Sequence, residues 1–372
     1  MTRTIAAAVL SKSGDHATPF AQSQPLAVQK LVLDDPRPGE ILVRIDAAGI
    51  CHSDLSVING DRPRPMPMVL GHEAAATVLA LGDPDEKVLA VGDRVVLVFL
   101  PSCNQCVPCL SGKAYLCASA AAANGRGEMM RGDTRLSRDG KQVHHHLGIS
   151  AFATQAVVDR RSIVKIDPDI PPETAALFGC AVLTGAGAVI NDARVQAGES
   201  VTIYGLGGVG LAALLGALAV GAQPIHCIDP LPEKRALALE LGGAGAWAPG
   251  DDNAAMGSDV VIETVGKATV LAAAYASARR GGRIVTVGLP NPSETLSINA
   301  LSLVADAKTL IGSYMGSSVP ARDIPRYIAL WRAGRLPVER LRSSIGRMEE
   351  ICELMDMLAA GQAIRQIVVP AW

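Results

Sequence analysis

The stretch VTIYGLGGVGLAALLGALAV, residues 201–220, decides the fold. A short β-forming run enters a G-x-G-x-x-G turn, and an Ala/Leu-rich helical run leaves it at once. In that context Gly205 permits a tight turn, Gly207 lets the backbone approach a pyrophosphate, and Gly210 allows close packing of helix on strand. Gly208 and Val209 complete the turn, so that the helix N-terminus faces an anion. The following apolar run, PIHCID, ends at Asp229, whose carboxylate accepts hydrogen bonds from a free adenosine ribose and repels a 2′-phosphate. The expected cofactor is therefore NAD rather than NADP. Lys234 reads either as a second ribose contact or as a solvated helix charge.

Working outward, DVVIETVG, TVLAAAYASARRGG and RIVTVGLP continue the alternation of buried strand and helix, which implies a parallel, doubly wound sheet. The chain before it has another texture. From Leu26 to about Val98, short β-branched runs such as ILVRIDAAGI and DRVVLVFL alternate with Gly, Pro and Asp, as in a compact β-rich domain. PPETAALFGCAVLTGAGAVI reads as a Pro-started helix, and NGRGEMMRGDTRLSRDGKQ as a surface hairpin or a substrate-facing loop. The expected fold class is α/β, with domains at 1–181, 182–323 and 324–372, the last returning to the first. At 372 residues, two domains are the ordinary expectation.

Four of the eight cysteines crowd into CNQCVPCLSGKAYLC, residues 103–117. Cys103, Cys106, Cys109 and Cys117 have spacing suited to one tetrahedral zinc, with unpaired thiols or local disulfides as the alternatives. A second set is dispersed through GICHSDLS, VLGHEAA and FGCAVLTG. Singly, Cys180 reads as a small buried hydrophobe and His72 as a satisfied core histidine. Beside a nicotinamide site, Cys51, His72 and Cys180 read instead as three ligands of a catalytic zinc with an open fourth position. The longest apolar run, LAALLGALAVGA, is shorter than the roughly 20 residues of a membrane span, and no secretory pattern opens the chain, so a cytoplasmic protein is expected. A net charge of −2, and a cysteine segment with one Lys and no Arg, argue against nucleic acid or membrane as partner and against a nucleic-acid-binding zinc ribbon.

Together these motifs, with the terminal AIRQIVV, resemble the zinc-dependent medium-chain alcohol dehydrogenases nearly end to end. The resemblance implies a GroES-like catalytic domain, a Rossmann domain, two zinc ions per chain, NAD and a homodimer. It assigns Ser53 to the substrate oxygen and the start of proton release, Asp54 to orienting His72, and Glu73 to a place near the zinc. It sets His52 and Arg365 at the pyrophosphate, Thr184 near the nicotinamide, and Phe99 and Leu147 in the walls of the substrate pocket. Departures from the pattern are also visible. His52 replaces a common arginine and Ser56 a common relay histidine, while His146 and Arg62 make the expected pocket more polar. The implied reaction is oxidation of a primary aliphatic or aryl alcohol to its aldehyde. The alternative is S-(hydroxymethyl)glutathione dehydrogenase, against which stands Ala121, where those enzymes place an arginine.

Overall fold

The computed structural model describes residues 2–251 and 257–370. The chain divides into two units, Met1–Cys180 with Arg342–Trp372, and Ala181–Leu341. The return to the first unit thus falls at Arg342, eighteen residues later than the expected 324. The amphipathic helix Pro320–Arg332 explains the difference: its Asp323 is buried and accepts from Val319 N, and the following Arg335 donates to the Ala219 carbonyl, all inside the second unit.

The second unit carries a six-stranded sheet, every neighbouring pair parallel. In spatial order its strands are Gly245–Trp247, Ile225–Ile228, Val201–Tyr204, Ser258–Glu263, Ala278–Thr286 and Thr309–Gly312. Counted along the chain this is 3-2-1-4-5-6, with the order reversing beside Val201–Tyr204, where such sheets bind dinucleotides. All four residues of that strand are buried, as β-forming side chains in a sheet covered on both faces must be. The glycine turn ends at Gly207, which caps the helix Gly208–Val220.

The first unit is built from two β systems. A closed barrel runs through Thr2–Leu10, Leu26–Asp34, Leu136–Arg138, Lys141–His145 and Met68–Val69. Of the stretch left open between hairpin and loop, residues 124–126 end the helix Ala118–Arg126 and the part from Leu136 onward is a hairpin, turning at Asp139 and Gly140 with φ of 50° and 73°. An Asp-Gly pair adopts that left-handed conformation readily, and such a turn matches the twist of the strands it joins. Alternate residues of the barrel strands, Ile5, Ala7, Val9, Leu31 and Leu33 among them, fill its interior. A seven-stranded sheet follows the order Ile163–Lys165, Arg94–Leu97, Ala74–Leu81, Glu40–Ile50, Arg365–Val369, Arg342–Arg347, with Gln155–Asp159 also pairing on Glu40–Ile50. Among the described residues no single helix is long and apolar enough to cross a membrane.

The helix read over 171–190 is interrupted. Pro172–Ala175 is α-helical, Ala176–Gly179 tightens to a 3₁₀ turn, Cys180 leaves helical geometry at φ −144°, and helix resumes at Ala181–Gly187.

Arg135 joins the two β systems through a bidentate pair with Glu40, Nη2 to Oε1 at 2.6 Å and Nε to Oε2 at 2.9 Å, both side chains fully buried. Removing Glu40 leaves buried Arg135 paired with the half-exposed Asp133, 3.1 Å from its Nη1, a loss toward the lower end of the about 3–5 kcal/mol that breaking such pairs costs. Glu40→Ala is therefore expected to move the urea unfolding midpoint of the first unit down by that amount. A midpoint shift worth under about 1 kcal/mol would show that the pair carries little stability.

Candidate functional site

Three chain segments converge in the first unit. Cys51 ends the strand Glu40–Ile50 and, extended at φ −131°, caps the helix His52–Ile58, whose Asp54 returns a hydrogen bond to the Cys51 amide. His72 and Glu73 lie just before strand Ala74–Leu81. Cys180 sits at the helix break, and its departure from helical geometry is what turns it out of the helix run. The candidate ligand atoms of Cys51, His72 and Cys180 lie within 4.8 Å of one another, and all three residues are buried.

The fit to zinc rests on one atom. His72 Nε2 is buried without a hydrogen-bond partner, while its Nδ1 is 3.2 Å from Asp54 Oδ1. A buried imidazole nitrogen with no partner is costly unless a metal takes its lone pair, and the opposite nitrogen of a metal-bound histidine is usually held by a carboxylate. Two thiols beside that nitrogen make a soft donor set with room for a fourth ligand.

Burial and close charges displace every group of the cluster. The Cys180 thiol, the Arg365 guanidinium and His72 hold Cys51 well below an ordinary thiol, overcoming burial, whereas the contact with Cys51 and burial push Cys180 up. Burial would neutralise His72, but the charge and hydrogen bond of Asp54 raise its pKa instead. Asp54, likewise buried, is held down at about 2, chiefly by His72 and His146. Glu73 is pushed up to about 7 by burial, against the pull of Arg365.

Glu73 Oε1 accepts from Arg365 Nη1 at 2.9 Å, and the same nitrogen donates to the Ile50 carbonyl at 3.0 Å. Arg365, expected at a pyrophosphate, is thus buried against Glu73 at the back of the thiol site. Gly49 makes room for this pair, since a Cβ there would come 2.5 Å from Glu73 Oε1. Ser53 Oγ lies 3.4 Å from Cys51 Sγ, and His52 is exposed at the start of the same helix. The Phe99 ring meets His72 edge-on at 5.4 Å, and its carbonyl accepts from Asn124 Nδ2 at 2.9 Å. Asn124 escaped notice because a lone Asn in a loop-like stretch has no motif around it.

His146, expected as a pocket wall, is only 1% exposed and stands edge-on to His72 at 5.3 Å, its Nδ1 3.0 Å from Asp54 Oδ1. Leu147 follows in a left-handed turn at φ 52°. Arg62 is half-buried on the turn beyond the helix His52–Ile58, its amide donating to the Ser56 carbonyl.

The four cysteines of the 103–117 segment also converge, their sulfurs within 4.8 Å of one another. No disulfide joins them, and all eight cysteines are free. Backbone amides of Cys103 and Cys106 point at Cys117 Sγ and Cys103 Sγ, each at 3.3 Å. The Gln105 amide leads the hydrogen bonds that bring the Cys103 thiol down to about 6, whereas burial raises Cys117 to about 11. Four thiol donors would fill a tetrahedral zinc sphere completely and leave no place for a substrate.

In the second unit Gly205 turns at φ 89°, and a Cβ on Gly210 would overlap the Gly205 carbonyl oxygen. Asp229 accepts from Leu206 N at 2.7 Å and Leu231 N at 2.9 Å, so its carboxylate clasps the glycine turn as well as marking the end of the next strand. Arg235, not Lys234, holds the loop that follows, donating to the Asp229 and Pro230 carbonyls at 2.7 and 2.8 Å. Lys234 is half-buried on the helix Pro232–Glu240, and Thr184 half-buried on Ala181–Gly187.

Comparison with known proteins agrees over nearly the whole chain. Residues 37–168 match the family described as alcohol dehydrogenase GroES-like domain, and residues 208–332 that described as zinc-binding dehydrogenase. A geraniol dehydrogenase from Castellaniella defragrans is 38% identical over 93% of this chain and 94% of its own. An S-(hydroxymethyl)glutathione dehydrogenase from Escherichia coli is 33% identical over 95% and 98%. The crystal structure of benzyl alcohol dehydrogenase from Acinetobacter calcoaceticus superposes with a TM-score of 0.91 at 30% identity, covering 99% of this chain and 100% of that one.

Metal analysis distinguishes the two cysteine sites. The purified chain is expected to hold two zinc ions, and Cys106→Ala to hold one. The variant should also melt more than about 4 °C lower, the shift that roughly 2 kcal/mol produces in a unit of this size. Full zinc content in Cys106→Ala would remove the lobe from the metal sites.

Proposed function

The chain belongs to the zinc-dependent medium-chain alcohol dehydrogenase family, and from that membership we propose how its own residues oxidise a primary alcohol to an aldehyde with NAD. The observation that carries the proposal is the buried, partnerless Nε2 of His72 between two thiol groups and beside the Ser53 hydroxyl. Cys51, His72 and Cys180 hold zinc, which when bound supplies Lewis acidity to the alcohol oxygen while NAD accepts the hydride. Asp54 fixes the tautomer of His72 by accepting a hydrogen bond from Nδ1–H, which leaves the Nε2 lone pair for a metal. Ser53 Oγ receives the alcohol proton and passes it outward. Ser56 stands where a relay histidine is common, so the outward relay from Ser53 would not use a histidine at that position.

Burial of all three ligand residues keeps bulk water from the reacting oxygen. Glu73, its pKa pushed up to about 7 by burial and its Oε1 held by Arg365, stands behind the ligands as a reserve carboxylate. In the second unit the Gly205–Gly210 turn takes the pyrophosphate and Asp229 the adenosine ribose. The anionic side chain of Asp229 supports NAD over NADP.

The relatives act on several alcohols by name, and the substrate class follows here from what the chain lacks. An anionic glutathione adduct needs cationic contacts, and the position that would supply one is Ala121, on the helix Ala118–Arg126. An uncharged aliphatic or aryl primary alcohol is the better match. A second copy of the chain is the partner we assign. Among the described residues the edge strand Thr309–Gly312 has no neighbour on its outer side, and the preceding helix exposes Leu301 and Val304. Eight free cysteines suit the reducing cytoplasm.

Two measurements test the reading. Cys51→Ser should lower kcat on benzyl alcohol at least about a thousandfold while NAD still quenches tryptophan fluorescence with unchanged affinity, and turnover near wild type would remove the metal mechanism. NADH formation from a panel of primary alcohols should be indifferent to glutathione, whereas formaldehyde oxidation strictly dependent on glutathione would favour the adduct reading.

A further inference from the structure

Asp54 serves more than one histidine. Its Oδ1 accepts from Gly71 N at 3.1 Å and faces His72 Nδ1 at 3.2 Å, while Oδ2 accepts from Cys51 N at 3.1 Å. His146 Nδ1 comes to 3.0 Å of the same Oδ1, but with poor angular alignment, so that it makes a close polar contact rather than a regular hydrogen bond. An oxygen that already serves two N–H groups can be approached by a third only obliquely. The His146 ring meets His72 edge-on at 5.3 Å, opposite in kind to a free pocket wall: both rings and the carboxylate between them are buried.

The backbone makes this placement rigid. His146 N reaches both the Val69 carbonyl and Ser150 Oγ at 3.2 Å, and Ser150 Oγ donates to Val69 O at 3.0 Å. Ala151 N and Phe152 N continue the lacing to Gly71 O and Leu70 O at 2.9 and 3.0 Å. The turn that allows it uses three consecutive or near-consecutive left-handed residues, Leu147, Gly148 and Ser150. Residues 146–152 are thus fastened to 69–71, the segment immediately before His72. His146 and His72 are set by one piece of backbone and share one carboxylate oxygen.

We propose that His146 is a positioning residue for the metal-binding histidine, bracing Asp54 and the His72 ring so that Nε2 stays directed at the two thiols. This rests on the reading of Cys51, His72 and Cys180 as a zinc site. An aromatic hydrocarbon at position 146 would fill the space but vacate the polar contact, leaving Asp54 freer to rotate in its buried setting.

The test follows zinc release rather than turnover. Wild type, His146→Phe and His146→Asn are loaded with zinc and mixed with excess 4-(2-pyridylazo)resorcinol, and the two zinc ions are followed as separate phases. The site with Cys51 is then reloaded with cobalt, and its thiolate charge-transfer and d–d bands are recorded. We expect His146→Phe to release one zinc at least about tenfold faster than wild type, the usual scale for losing a partner of a metal ligand. His146→Asn, which keeps an N–H donor near Asp54, should recover part of that loss, and the cobalt bands should shift in His146→Phe and shift less in His146→Asn. The second zinc, in the 103–117 lobe, should leave at the wild-type rate in all three. Release within twofold of wild type in His146→Phe overturns the proposal, as does equal acceleration in both variants, which would mean packing alone. Loss of both zinc ions at one rate in either variant signals unfolding and also counts against it. A wild-type chain with only one zinc would instead sink the metal-site reading on which the proposal stands.

Discussion

The first unit depends on what Asp54 is asked to hold. A fully buried carboxylate is stable only when its charge is matched, and this one is matched by backbone amides from two segments and by imidazoles. The Cys51 amide closes the helix start, the Gly71 amide fixes the bend before His72, and His72 itself presents Nδ1. Each of these contacts orders a different piece of chain around a common point. The thiol-imidazole cluster is then less a set of ligands than the visible edge of a buried polar network. Burial pushes Glu73 up to about 7, whereas the imidazoles of His72 and His146 hold Asp54 down at about 2 in spite of burial.

The two cysteine clusters show how surroundings divide one chemistry into two roles. Both gather their donor atoms within the same 4.8 Å. The lobe is local in sequence, half-exposed for three of its four residues, and satisfied by backbone amides pointing at sulfur. Such a site closes on itself and stiffens a loop. The other is assembled from three remote segments, lies out of reach of solvent, and leaves a nitrogen with nothing to bind. On the proposed reading, an open position among buried donors is what would let that cluster act on a substrate.

Local features were readable from the residues alone, because a glycine turn between strand and helix, or an Asp-Gly hairpin, contains its own physical cause. The parallel, doubly wound sheet followed from the alternation beginning at Val201. Long-range contacts were not readable in that way. Periodicity carried a helix straight through Cys180, since apolar spacing does not register that one side chain must turn away. Family resemblance alone set Arg365 at a pyrophosphate, and its partner Glu73 comes from the far end of the chain. His146 stood out as a histidine among expected aromatics, but its meeting with Asp54 is made by the lacing of 146–152 to 69–71, which no pattern announces. The domain border slipped because Pro320–Arg332 has a helix signature suited to either unit, and only its buried Asp323 and the arginine beyond it show which one it joined.

The strand Arg365–Val369 lies inside its sheet, with Glu40–Ile50 on one side and Arg342–Arg347 on the other. During synthesis the first 180 residues emerge without it, and the entire second unit must be made before it appears. Domains generally fold as units as they leave the ribosome. Here the nucleotide-binding unit can finish first, while the earlier-made unit waits with an open seam along Glu40–Ile50 and with Glu73 lacking its guanidinium. Order of manufacture and order of completion are therefore reversed, and the exposed edge during that interval is where a chaperone or a stray β-strand would find the nascent chain.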